Sequence, residues 1–548
     1  MERSFLKNFM EKIKYIILFS LVFSLPVFIA YSQDNGTKES GTKENNSKPL
    51  ELPNFIIQGR EQLNVRTGIK QSPEKPGTLT KKELDSLNSL EKRLSLLLPT
   101  EPLPSRILND KFNKGYIRAD FGRFTTATAE AGYEFKAGEY EIFGKAGGDY
   151  SSGHIDNSGY DKIFLDLNAD YTADEKYWIF GGSKTRTGIS FKKNDYKLYS
   201  VPNPAQRNTM NLGLNVNTEG NYEGFAFNTG AGFNTLQLSQ NSSNAFDNSI
   251  NGYLSVTNLS SDYEIGGDLS VDLHSVSGNG VHFIQADAFG TYIHEDLTLK
   301  LKGGFQAAHS SGGIQRAGLL VEGNLDLRLS ELFSLRGNAV IGLENNSLND
   351  IFIQNPYLYS YTDVDFSYNL PDAGISLFYY PDEDLAVSVG ADFGLIQRAP
   401  GFIDTTGGTF AIDYENVTKL ETFAEMSYKF TGSDLITANL ALEQAKHESN
   451  KFEPYSIPLK ILLNYHKKWL EKLGTQFGIY YIGQRYTDLN NLNTLPGYID
   501  LRIRADYSVN DMFLVYCNLE NLFNQEIYIW NGYKERGVFI SAGVLLKF

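Results

Sequence analysis

The chain of 548 residues has a single cysteine, Cys517, so no disulfide can form within it and stability must come from packing and backbone pairing. Lysine and arginine number 50 against 65 aspartates and glutamates, and the formal net charge of −15 removes the basic footprint that nucleic-acid binding requires. Beyond Ala30 no uncharged run approaches the length of a membrane helix. With a mean hydropathy of −0.31 and 21% charged residues, a helical inner-membrane protein is excluded. The seven histidines show no paired metal-ligand spacing and no Gly-x-Ser-x-Gly elbow occurs, so the chain reads as a non-enzyme without a catalytic, cofactor or metal site. Proline is scarce at 17, whereas Gly 50, Phe 36 and Tyr 33 suit strands with aromatic girdles.

What is present begins with Arg3, Lys7, Lys12 and Lys14 ahead of an uncharged run from Tyr15 to Ala30, closing on Ala30-Tyr31-Ser32. That order of basic, apolar and small residues predicts a secretory signal peptide over residues 1–32. Residues 33–49 are Asn, Gly, Ser, Thr, Lys and Glu with almost nothing to bury, a disordered tether. Within residues 50–113, Thr80 and Glu83 have capping-box spacing, and Leu84, Leu87, Leu90, Leu94 and Leu97 recur at helical spacing, predicting a helix over 81–98 that stops at Pro99.

From 114 to 548 the period becomes two. Leu297, Leu299, Leu301, Gly303, Phe305 and Ala307 alternate with Thr298, Lys300, Lys302, Gly304 and Gln306, and the last strand sets Ile540, Ala542, Val544, Leu546 and the terminal Phe548 on one face. No single sandwich core holds alternation this long, which leaves an all-β fold, a transmembrane antiparallel barrel. Tight turns at Ala137-Gly138, Ala173-Asp174, Glu219-Gly220, Glu295-Asp296 and Asn510-Asp511 alternate with longer connections. The long set includes 194–206, 344–372, 395–414, 484–496 and 521–536. Short periplasmic turns and long outer loops are the pattern of outer-membrane barrels, and the turn count predicts about 22 strands with the N-terminus in the periplasm.

The C-terminal stretch from Pro496-Gly-Tyr-Ile-Asp-Leu-Arg, with Asn521-Leu-Phe-Asn524 and the terminal strand, resembles the last strands of TonB-dependent receptors. Upstream, Ala373 to Ala386, Gln397-Arg-Ala-Pro400 and Thr418 to Phe430 are similar to the strand and loop-entry pattern of that family. The resemblance implies an outer-membrane barrel of about 22 strands, the number the turns reach without it. Family members also carry an N-terminal plug rich in Gly and Arg. Residues 33–113 are too few and lack that pattern, so the chain looks like a plugless member.

Leu52, Pro53, Asn54, Phe55, Ile56, Ile57 and Gln58 are similar to the extended box that a TonB-type energiser grips by strand addition; an apolar segment docked on the barrel's own wall is the alternative. The leucine stripe of 81–98 needs burial, against a periplasmic partner or inside the lumen. Tyr357, Tyr359 and Tyr361 are candidate ligand contacts in the longest loop, with plain strand extension as the rival. Phe548 is the candidate assembly signal. Two functions follow: transport of a bulky substrate with periplasmic partners, or a non-transport anchor or scaffold for an envelope, secretion or adhesion complex.

Overall fold

The computed structural model describes residues 114–548 apart from 242, 261, 360–362, 432–433 and 470–471. The signal peptide, tether, box 52–58 and helix 81–98 therefore lie outside the described residues, as does Tyr361. The described chain forms one 22-stranded antiparallel sheet in which each strand pairs with its neighbours in sequence. Gly115–Gly122 closes it, pairing with Thr126–Ala137 on one edge and with the last strand, Phe539–Lys547, on the other. A closed ladder satisfies every strand and leaves no edge, the condition for a sheet to sit in lipid. The predicted all-β barrel and its strand number both hold.

Alternation sorts the side chains. Leu301, Phe305 and Ile284 point outward and are exposed, whereas their neighbours Lys302 and Gln306 point inward. On Asn279–His294 the outward set Ile284, Ala286, Ala288, Gly290 and Tyr292 is bracketed by His282 and His294. That band matches the ~9–11 residues a tilted strand needs to cross a bilayer. Aromatic pairs ring the rim at which the last strand ends: Tyr140 with Tyr171 at 4.9 Å, Phe333 with Tyr379 at 4.8 Å, and Tyr133 with Phe548 at 6.1 Å.

Inside, the charges pair along the wall. Lys302 lies 3.2 Å from Asp268, 3.6 Å from Asp287 and 3.7 Å from Glu322, and Lys419 lies 3.3 Å from Glu421 and 3.1 Å from Glu443. Glycines accept aromatic rings from the next strand. A Cβ on Gly132 would meet Tyr116, one on Gly147 Phe164, and one on Gly543 Tyr516. Strands spaced ~4.8 Å apart and tilted by about 40° make a 22-stranded cylinder on the order of 44 Å across its backbone.

Several turns fall elsewhere than their sequence suggests. Ala173-Asp174 is not tight: residues 173–183 form a loop whose aromatics pack on the barrel's outer face, Trp178 donating to the Tyr222 hydroxyl at 3.1 Å and Phe180 meeting Phe227 edge-on at 5.8 Å. Glu219-Gly220 stays inside a strand, and the turn comes at Glu223-Gly224, with φ of 48° and 88°, the signs a type I′ hairpin demands. The segment 395–414 is mostly strand. Leu385–Asp404 and Phe410–Thr431, 20 and 22 residues long, leave only 405–409 as loop, and a bulge at Arg398 accounts for the irregular composition. Both strands overshoot the lipid band and stand above the outer rim.

Candidate functional site: a loop-closed outer mouth

Between strands Phe333–Glu344 and Ser367–Tyr379 the chain leaves the wall as the loop 345–366, the lid. Ser347 caps its short helix, α1, Leu348–Gln354: the Ser347 Oγ accepts from the Asp350 N–H at 3.0 Å, and Leu348, Ile351 and Phe352 are buried. Asn355-Pro356 ends the helix, because proline bars the preceding residue from helical backbone. Sequence reasoning missed this helix, although Ser347-x-x-Asp350 followed by Ile351 and Phe352 is a capping signal.

Charge-assisted contacts hold both roots of the lid. At one, the Asn345 amide donates to Asp272 at 2.7 Å, and Asp272 shares His274 with Asp247, at 2.9 and 3.0 Å. At the other, Asp365 accepts two bonds from Arg316, at 2.9 and 3.1 Å, and one from Arg398 Nε at 2.8 Å, while its own N–H donates to the Tyr414 hydroxyl at 2.9 Å. Burial pushes the Asp365 carboxyl upward, but bonds from Arg316 and the Phe366 N–H and the charge of Arg398 outweigh it and hold the group below the usual carboxylate range. Asp365 is thus a fixed anion between two guanidiniums.

The tip of the lid meets loops from other sectors of the ring. Arg207, fully buried, donates to the Leu358 carbonyl at 2.8 Å and to Gln240, while Tyr196 donates to the Pro356 carbonyl. Tyr359 N–H donates to the Phe410 carbonyl at 2.7 Å. Tyr357 stacks on Tyr533 with ring centroids 3.5 Å apart, and Tyr199 meets Tyr533 edge-on at 5.0 Å. Phe410, Trp530 and Tyr455 continue this aromatic core. Burial raises the Tyr199 and Tyr357 hydroxyls well above their ordinary range and Tyr533 to about 12, so all three stay neutral.

The loops 198–205, 345–366 and 521–538 are separated around the ring by eight, eight and six strands. Segments so widely spaced touch only by reaching over the lumen, so the crown they form with 405–409 spans the outer mouth.

Of the residues singled out from sequence, Tyr357 belongs to the crown's core and Tyr359 is 43% exposed on it. Phe548 sits at the rim where the first strand begins, its backbone bonded to Gly115 at 2.7 and 2.9 Å. Cys517 faces outward between Val515 and Leu519, the lipid-side place its strand pattern predicts. Arg207, Asp365, Tyr199 and Tyr533 were not foreseen, because their partners lie in other loops. Among the described residues, no group of three or more His, Cys, Asp or Glu is placed to hold a metal ion.

No family model matches the chain, and no curated protein does. Solved structures do. The FrpB iron transporter from Neisseria meningitidis (F3-3 variant) superposes with a TM-score of 0.64 at 11% identity, over 80% of this chain and 82% of that one. The copper transporter OprC gives 0.63 at 13% identity, over 79% and 81%. The ferric yersiniabactin uptake receptor FyuA from Yersinia pestis gives 0.63 at 9% identity, over 79% and 80%. At such identities the likeness is one of fold: this chain is built on the 22-stranded membrane barrel of outer-membrane uptake receptors and transporters.

Proposed function

We propose that the chain is an outer-membrane receptor of the TonB-dependent type, with its N-terminus in the periplasm, that moves a bulky substrate through a lumen gated at the outer face by its own loops. The observation that carries this is the crown: a barrel on the order of 44 Å across is spanned by a lid rooted in ion pairs and tipped by an aromatic core. A permanent scaffold has no need of a mouth closed by loops on paired charges. Energy comes from a periplasmic partner engaged by residues 50–98, the box Leu52–Gln58 among them. The iron and copper cargo of the neighbouring structures supports uptake as the general task.

Full-length protein in planar bilayers tests the gate. Transport predicts a closed native state and discrete openings when Asp365 is replaced, and box substitutions at Phe55 and Ile57 should abolish energised uptake in cells without changing barrel yield. Native uptake that survives the box substitutions removes the energiser. A barrel that never conducts, with the lid intact or loosened, favours the anchor or scaffold.

A further inference from the structure

Charged groups on the lumenal wall are largely neutralised by their strand neighbours, but one sector, between Arg186 on its periplasmic side and Lys192 on its outer side, holds two rows with none. It lies on the strands Lys184–Lys197, Gln206–Tyr222, Phe225–Gln240 and Ser243–Leu259, where the register sets Gly188, Asn215, Gly232 and Asn251 side by side in one row. The next row toward the outer mouth is Ser190, Gly213, Asn234 and Ser249. On the periplasmic side Arg186, Asn217, Gly230 and Tyr253 follow in register. Neither a charge nor an aliphatic side chain interrupts the first two rows, and the one charge in the third, Arg186, pairs with Asp170 at 2.9 Å.

Their geometry is flat. A Cβ on Gly232 would come within 2.5 Å of the Asn251 amide oxygen, one on Gly213 within 2.6 Å of the Ser190 hydroxyl, and one on Gly230 within 2.5 Å of the Tyr253 ring. Amides and ring therefore lie across glycines of the neighbouring strand. The Tyr253 hydroxyl donates to Asn217 at 2.6 Å and to Asn228 at 3.1 Å, which fixes the ring along the wall, and 38% of the residue is exposed. Asn215 and Asn251 are exposed to the lumen.

Each such amide offers one acceptor oxygen and two N–H donors without charge, the complement of hydroxyls that both donate and accept. Side chains laid flat over the glycines leave a smooth face that a ring can approach, and an exposed tyrosine gives it a stacking surface. Hard metal ions and their anionic chelates need carboxylates or cationic groups, which the two central rows lack, Arg186 and Lys192 standing one row to either side. A peptide's side chains would meet a flat face where side chains cover the glycines. Resting on the transport reading above, we infer that this amide and glycine wall is a binding surface for a neutral, polyhydroxylated ligand, an oligosaccharide in transit.

The test is a panel of short neutral oligosaccharides, beside sulfated oligosaccharides and neutral peptides, applied to the full-length protein in detergent, both native and carrying Asp365→Asn so that a closed lid does not mask binding. At least one neutral oligosaccharide binds. Asn215→Asp and Asn251→Asp, which keep the side-chain shape, each weaken it roughly tenfold, while Asn338→Asp elsewhere on the wall leaves it unchanged. Heat-modifiable mobility on gels confirms that each variant is a folded barrel. The inference is overturned if no neutral oligosaccharide binds in either background, if only sulfated ligands or peptides bind, or if the wall substitutions have no effect. Gated conductance with any of those results removes the ligand class and leaves the transport reading standing.

Discussion

Asp365→Ala should release the lid. The carboxylate is 6% exposed and is held by Arg316 and Arg398, whose side chains are 25% and 37% exposed. Removing one partner of a buried charge pair costs about 3–5 kcal/mol, largely because the remaining charge is stranded. Both guanidiniums reach water, so the low end applies, about 3 kcal/mol. If that loss falls on the closed lid alone, the open population rises about a hundredfold. Hydrogen–deuterium exchange of residues 348–354 reads this directly, since the α1 amides exchange only when the lid lifts. Protection there should fall by about two orders of magnitude, while the strands Leu297–His309 and Tyr498–Ser508 keep theirs. Unchanged lid protection in a folded barrel would refute the claim that Asp365 latches the crown. Equal loss across the wall strands would show instead that Asp365 stabilises the whole barrel.

Tyr533→Ala removes the ring stacked on Tyr357 and the hydroxyl that donates to Gly408. Truncating a buried aromatic costs about 3–5 kcal/mol, so lid exchange should rise at least as far as in the Asp365 variant; an unaffected lid would mean the stack is incidental. In the loop 448–458, burial and then repulsion by Asp413 and Glu415 raise Glu453 to about 8. The folded state thus holds a proton the unfolded chain has lost, and this loop's stability is full below the ordinary carboxylate range and falls as pH rises through about 8. Exchange of 448–458, corrected for intrinsic rates, should quicken as pH rises from the ordinary carboxylate range to about 8 and level off above it, and Glu453→Gln should abolish the pH dependence. Gly543→Val should block barrel closure, since a Cβ there comes within 2.5 Å of Asp120 across the seam and of Tyr516 on the preceding strand; normal heat-modifiable mobility would count against it.

The barrel was legible because its rule is local. Leu299, Leu301 and Phe305 face lipid for the same reason that they alternate with lysines, and turn chemistry gave the strand number. Where aromatics or glycines served another purpose, the reading slipped. Ala173-Asp174 looked like a tight turn but opens the loop 173–183, whose Trp178 and Phe180 clad the outer face, and Gly220 looked like a turn but makes room for Phe227. The crown was only half legible. Tyr357 stood out as a loop aromatic, yet its partner Tyr533 lies far along the chain and becomes a neighbour only after the ring has closed and both loops have folded inward. Asp365 was invisible for the same reason, since nothing local predicts that Arg316 and Arg398 converge on it.

Gate and wall meet at Asn211. Its amide donates to Asn234 on the wall at 3.3 Å and to Asn349 on α1 at 2.8 Å, so both N–H groups are committed while the lid is closed. A hydroxylated ligand that takes these donors competes with the lid for them, and binding then favours opening through the differential contact that any ligand-driven shift requires. Asn349→Ala separates the two effects. It removes one hydrogen bond, about 1 kcal/mol, and should quicken lid exchange about fivefold while leaving the wall rows untouched. In the native protein, ligand should quicken lid exchange further; in Asn349→Ala that response should shrink, because the contact under competition is already gone. Undiminished ligand response in the variant would place the coupling elsewhere in the crown, and a ligand that slows lid exchange would show that the closed lid grips its cargo instead of yielding to it.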